Sequence, residues 1–285
     1  MIAILGGLGA ATAFAVTTLT ASRATRMIGP PAVLAWVALT GFCIVLPWVL
    51  LEGVPDGLDG TSAAWLVLAG FGNVVGLLLA YSALRIGKVA IVAPVVSTEG
   101  ALAAVLAVLG GEAVAVGAGF ALLVVAVGVF LAAIADDPES TEADERATWR
   151  VAGYALGAAC AFAVGIFATG RASADLPIAW AVFPPRVVGV LVIALPLLLS
   201  SRLRLTRRAA PLVVASGVAE VVGFASFAVG ARDSLAVAAV LTSQFAAIAA
   251  IAAFVLFRER LGRLQLTGVA TIVLGVAALT WFQAS

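Results

Sequence analysis

The sequence predicts an all-α integral membrane protein of ten transmembrane helices, arranged as two inverted-topology five-helix repeats. Three observations carry that reading. Of 285 residues 64% are hydrophobic and 11% charged, far from the roughly 45–50% and 25% of soluble domains. Apolar runs of about 20 residues, the length that crosses a bilayer core as a helix, recur ten times. The two halves share landmarks at a nearly constant spacing.

The runs fall at 2–20, 31–51, 62–82, 88–109, 112–134, 151–170, 177–199, 211–230, 234–257 and 262–282. Backbone in lipid has no water to pair with, so each run must close its own hydrogen bonds as a helix. A membrane barrel would need alternating segments of about ten residues, and the sequence has none. The first run resembles a signal peptide in position but lacks a basic leading region, and part of it recurs later, so it is read as the first helix.

The recurrence is explicit. Gly9-Ala10-Ala11-Thr12-Ala13-Phe14-Ala15-Val16 matches Gly157-Ala158-Ala159-Cys160-Ala161-Phe162-Ala163-Val164 at seven of eight positions, 148 residues apart. Later landmarks keep the spacing: Pro47 faces Pro196, Ser97-Thr98-Glu99 faces Thr242-Ser243-Gln244, Glu112 faces Glu259, and Gly128 faces Gly275, all with offsets of 145 to 149. A duplication with small insertions produces this pattern. The expected division is a first repeat over 1–135, a charged solvated linker over 136–150 and a second repeat over 151–285.

Five helices per copy invert the second copy relative to the first, and loop charge tests this. Thirteen of the fifteen loop Lys and Arg fall on one predicted side, among them Arg23, Arg26, Arg85 and Lys88, the 202–208 cluster and Arg258, Arg260 and Arg263. Arg171 and Arg232 alone fall on the other. The basic side is expected in the cytoplasm of a cell whose cytoplasmic membrane the chain crosses repeatedly, which leaves both termini extracytoplasmic.

Composition also excludes functions. Sixteen basic and fifteen acidic residues nearly cancel, so no field gathers nucleic acid. There is no His, no zinc motif and no nucleotide-binding loop. Neither an intramembrane enzyme, a metal site nor a cofactor is indicated. Cys43 and Cys160 stand alone in apolar runs and read as small buried hydrophobes.

Charge deep in a membrane is the strongest pointer to a site, since each centred charge costs about 2.5–3.5 kcal/mol on the insertion scale. Only Glu99, Arg186 and Glu220 lie near the middle of a run. Asn73, the single Asn, and Gln244 lie at the same depth. These five on five helices form the candidate substrate or proton pathway. The bland alternatives are interhelical hydrogen bonding for Asn73 and Gln244, and a structural counter-charge for Arg186. Ser97, Thr98, Thr242 and Ser243 are secondary lining candidates whose hydroxyls have backbone carbonyls as an alternative partner. Tyr81, a further lining candidate, reads with Trp36, Trp48, Trp65, Trp180 and Trp281 as anchoring or packing. Gly72-x-x-x-Gly76 and Gly153-x-x-x-Gly157 read as close helix contacts. Pro94, Pro184-Pro185 and Pro196 read as kinks or breaks.

Leu256-Phe257-Arg258-Glu259-Arg260-Leu261 with Gln265, Gly268 and Gly275-Val276, together with Tyr81-Ser82-Ala83-Leu84, Pro94, Glu99, Glu112 and Arg186, resembles the drug/metabolite transporter superfamily in its EamA-type ten-helix members. The first copy departs from the second at Ala118 and Ala121, where Gln265 and Gly268 stand, and Ala239 replaces Pro94. The resemblance implies a secondary transporter, expected to export small metabolites such as amino acids with a proton-coupled carboxylate. The alternative is efflux of cationic drug-like compounds, and a structural or accessory membrane protein is a third reading. Expected partners are the lipid bilayer, a small-molecule substrate and protons, with a homodimer left open.

Overall fold

The computed structural model describes residues 2–109, 124, 127, 142–173, 176–233, 241–257, 266–268, 270–271, 273–275 and 278. The expectations on Glu112, Gly128, Glu259, Gln265, Trp281 and the 258–263 arginines, and most of the run 112–134, lie outside these residues. Among the described residues the fold is helical throughout. Its elements are α1 (Ile2–Ile28), α2 (Pro30–Glu52), α3 (Gly60–Ile86), α4 (Val89–Val96), α5 (Glu99–Leu109) and α6 (Glu142–Ser173). There follow α7 (Ile178–Val182), α8 (Pro184–Gly189), a π-helical turn (Val190–Ala194), α9 (Leu195–Leu199), α10 (Ala210–Asp233) and α11 (Phe245–Phe257). Six helical stretches among them are long and apolar enough to cross a bilayer.

Two helices overrun their apolar stretches into neighbouring charge. Arg23 and Arg26 ride on the end of α1 rather than in a loop, and α6 begins at Glu142, inside the stretch read as linker. A helix ends where its backbone pairing ends, not where lipid ends, so charged turns extend it into the interface. The seventh run is the irregular one. It breaks at Phe183 before Pro184-Pro185 and relaxes into the π turn ahead of Pro196, whose missing amide removes an ordinary helical bond.

Glycines set the helix spacing. A Cβ on Gly72 would sit 2.7–2.8 Å from the backbone of Ala161 and Gly165 in α6, so these two helices meet main chain to main chain. Gly6 packs equally tightly on Ser226 and Gly230 of α10. A Cβ on Gly153 would meet nothing within 4 Å among the described residues, so the packing role expected of it is not found there. Cys43 and Cys160 are also corrected: both are free and exposed. In lipid an outward face is as apolar as the core, so a Cys in an apolar run has no need to point inward.

The glycine contacts are reciprocal between the halves. The Phe14 ring occupies the Cβ space of Gly223, and the Phe162 ring that of Gly76. Gly41 packs on Arg186 and Val221, while Gly189 packs on Ala38 and Val74. Gly70 packs on Pro184 and Val188, while Gly217 packs on Val37 and Thr40. Every equivalent position in these pairs is 147 or 148 residues from its counterpart. The most extensive helix pairs, α1 with α10 and α3 with α6, are likewise exchanged by that shift. The reciprocity is consistent with a two-fold relation between the halves.

Candidate functional site

The site forms where the fourth run is interrupted. Pro94 has no amide to donate, and α4 ends two residues later. The Ser97 hydroxyl donates to the Pro94 carbonyl at 2.8 Å and the Thr98 hydroxyl to the Val95 carbonyl at 2.7 Å. These hydroxyls therefore serve the broken backbone, the bland alternative weighed for them, and neither lines the cavity described below. The helix restarts at Glu99, in the first turn of α5. Residues 241–243 are helical, Gln244 is a turn and α11 restarts at Phe245, so the ninth run is interrupted at the corresponding polar trio.

A cavity of about 110 Å³ lies between the halves. Phe14, Phe162, Phe224, Phe227 and Phe245 stand in its wall among smaller apolar side chains, and its polar groups come from Asn73, Tyr81, Glu99, Glu220 and Thr242 with Thr17, Thr18 and Thr169. Asn73 and Glu220, 147 residues apart, are each 4% exposed. They meet directly, the Asn73 amide donating to the Glu220 carboxylate. Its Oδ1 is then left without a partner, as are the Tyr81 hydroxyl and Thr242 Oγ1. Thr18 and Thr169, also in the wall, donate to the Phe14 and Gly165 carbonyls at 2.8 Å and are already satisfied.

Arg186 is 3% exposed and does not line the cavity. Its stem crosses Gly41, where a Cβ would meet Cγ at 3.0 Å, and its guanidinium lies over the Phe224 ring, 5.0 Å from the centroid. Phe224 and the neighbouring Pro185 line the cavity in its place. The guanidinium is in electrostatic reach of Glu220 and Tyr81, and its Nη2 has no hydrogen-bond partner. Glu220 thus has a cation and an amide donor. Glu99 has neither among the described residues, its charged neighbour being Glu220.

Five candidate residues therefore line one cavity: Asn73, Tyr81, Glu99, Glu220 and Thr242. Arg186 backs it, and Ser97, Thr98, Ser243 and Gln244 form the two interruptions, the last two engaged with neighbouring groups. Tyr81, read as packing and as a lining candidate, is 2% exposed, packed in the buried core and part of the cavity lining. Trp36 and Trp180 donate to the Arg204 and Gly53 carbonyls at 3.0 and 2.9 Å, as anchors do. Sequence reasoning missed the phenylalanine wall, although Phe14 and Phe162 are the one bulky pair in the repeated octapeptide.

Residues 1–134 match the EamA-like transporter family. A solved crystal structure, described only as that of a protein, superposes on 99% of this chain and 98% of its own, with a TM-score of 0.67 and 18% identity. That likeness is one of fold and covers nearly the whole chain. No curated protein matches the sequence.

Proposed function

Because residues 1–134 match the EamA-like transporter family, we propose that the chain is a gradient-driven exporter of small amine-bearing metabolites, with Glu99 as its proton-coupled carboxylate. That match supports a multi-pass membrane transporter of the drug/metabolite type. Substrate, direction and coupling are the proposal.

The carrying observation is the inequality of the two cavity acids. Glu220 is provided with Arg186 and Asn73, whereas Glu99 faces the cavity with a like charge as its ionised neighbour. A charge in low dielectric needs a counter-charge. Glu99 has no counter-charge among the described residues, and in this reading it arrives from outside, as a proton or as the substrate. Exchange of one for the other couples substrate movement to the proton gradient. The charged group that acts on Glu99 among the described residues is Glu220, which is itself in electrostatic reach of Arg186 and Tyr81.

Two interrupted helices meeting at a cavity between the halves fit an alternating-access site. The reciprocal contacts support inverted five-helix repeats, and the loop charges support extracytoplasmic termini in the cytoplasmic membrane. In inverted vesicles carrying an imposed pH gradient, the protein is expected to move members of an amine-bearing metabolite panel, and Glu99→Gln to abolish the pH-dependent flux while leaving the protein folded. Wild-type pH dependence in Glu99→Gln overturns the coupling. Reporter fusions at Ser285 and in the 136–150 stretch test the orientation, a cytoplasmic signal at Ser285 reversing it.

A further inference from the structure

We propose that the loop between α9 and α10 holds an anionic glycerophospholipid, its phosphate received by Arg202, Arg204, Arg207 and Arg208 and an acyl chain lying along the exposed leucines of α9. The inference rests on the membrane placement of the chain and is independent of its substrate.

The apolar part comes from helical spacing. Leu195, Leu198 and Leu199 stand at i, i+3 and i+4 and so share one face of α9. All three are exposed, the last two at 60% and 77%, and in a bilayer such a face meets acyl chains. The helix ends directly at the loop. Ser201 takes a positive φ of 56°, and the Arg202 and Leu203 amides both donate to the Leu197 carbonyl, at 2.8 and 3.0 Å. The Trp36 indole of α2 donates to the Arg204 carbonyl at 3.0 Å, and Thr206 caps α10 by accepting from the Ala209 amide at 3.2 Å. The loop backbone is thus held at three points, which leaves little ordering to lose when its side chains take a ligand.

The polar part is charge without a partner. The four arginines are exposed, and none makes an ion pair or side-chain hydrogen bond among the described residues. No acidic residue occurs between Asp175 and Glu220 to supply one nearby in sequence. Planar guanidinium forks match phosphate oxygens, and basic clusters at the end of a membrane helix draw anionic headgroups.

The first half supplies the contrast. Leu50 and Leu51, 148 residues before Leu198 and Leu199, are 71% and 88% exposed at the end of α2. The loop after them likewise opens on a positive φ, at Gly53, and closes on a cap, Asp59 accepting from the Ser62 amide. It carries Glu52, Asp56 and Asp59 and no base, so an anionic headgroup is repelled there. Exposed leucines are common to both helix ends, whereas the arginines belong to one. That difference separates a lipid site from a helix end that merely faces lipid.

The test titrates the full-length protein, purified in a non-ionic detergent, with phosphatidylglycerol and phosphatidylcholine of identical acyl chains. Native mass spectrometry counts the bound lipid. Phosphatidylglycerol is expected to bind at least about tenfold more tightly. Arg202→Gln with Arg204→Gln should remove most of that preference, and Glu52→Gln with Asp56→Asn in the acidic loop should leave it unchanged. Arg202→Lys with Arg204→Lys keeps the charge that fixes insertion but loses the forks, and should weaken phosphatidylglycerol severalfold even where the Gln variant does not fold. Glycerol 3-phosphate in large excess should not displace the lipid, since it lacks the chains. Equal affinity for the two lipids, a preference undiminished in both arginine variants, or displacement by glycerol 3-phosphate overturns the lipid site. So does a dimer that the Gln variant dissociates, which gives the face to a second copy. None of these readings involves flux, so their failure leaves the proposed transport untouched.

Discussion

Where the second half carries Arg186 and Glu220, the first half carries Ala38 and Asn73, 148 and 147 residues earlier. The surroundings are alike, with Gly41 and Val221 against Arg186 and Gly189 and Val74 against Ala38. The interrupted helices differ in the opposite sense, Glu99 in the first half standing for Gln244 in the second. Shape at these points is therefore shared between the repeats and charge is not. One half holds Glu220 within reach of Arg186, the other an acid with no counter-charge among the described residues, and the proposed exchange uses that imbalance.

The comparison breaks most readily at Arg186. Arg186→Ala leaves Glu220 buried without its cation and is expected to cost about 3–5 kcal/mol, enough to lower accumulation of folded protein. The double substitution Arg186→Ala with Glu220→Asn copies the pair of the first half and should restore most of that loss. Thermal unfolding in detergent reads both, and a tolerated single substitution would show that Arg186 does not hold Glu220.

Smaller effects are expected where shape is shared. Gly76→Ala and Gly223→Ala push a methyl into the Phe162 and Phe14 rings at 2.5 and 2.4 Å. Each should destabilise by about 1–3 kcal/mol, and equality between them is the sharper prediction. Gly153→Ala, which meets open space, serves as the control. A large difference between the Gly76 and Gly223 variants would argue that the reciprocity is superficial.

The smallest effect distinguishes the caps of α3 and α10. Asp59 accepts from the Ser62 amide at 2.7 Å, and Thr206, 147 residues later, accepts from the Ala209 amide at 3.2 Å. The Ser62 amide and hydroxyl hold the exposed Asp59 carboxyl below its ordinary value of 3.8. Its stabilising contribution is thus complete above the unfolded value and is lost as pH falls through the folded one, since protonation removes the stronger acceptor. Thr206 has no such dependence. Hydrogen exchange in the first turn of each helix should show α3 loosening in acid before α10, and simultaneous loosening would contradict the assignment.

Much of this was legible from residue order. Lengths and polarity of the runs gave the helices, because lipid forces every backbone bond inward. Spacing located the equivalent positions, and midplane polarity located Asn73, Glu99 and Glu220. The rest depended on direction around a helix, which apolar runs do not encode. A run apolar on every side gives no sign that Cys43 and Cys160 face outward, that Ser97 and Thr98 turn back onto carbonyls, or that Arg186 passes behind Phe224. Composition likewise marked the 136–150 stretch as polar without revealing that helix begins at Glu142.

The central claim is that Glu99 trades a proton for the substrate's charge while Glu220 stays with Arg186. Titrating isopentylamine into the purified protein in two buffers of different ionisation enthalpy counts the protons exchanged on binding. Wild type is expected to release about one proton per amine where Glu99 is protonated beforehand, as linkage requires, and none above the pH at which Glu99 is already ionised. Binding with no proton release at any pH, or release that disappears only in Glu220→Gln, would contradict it.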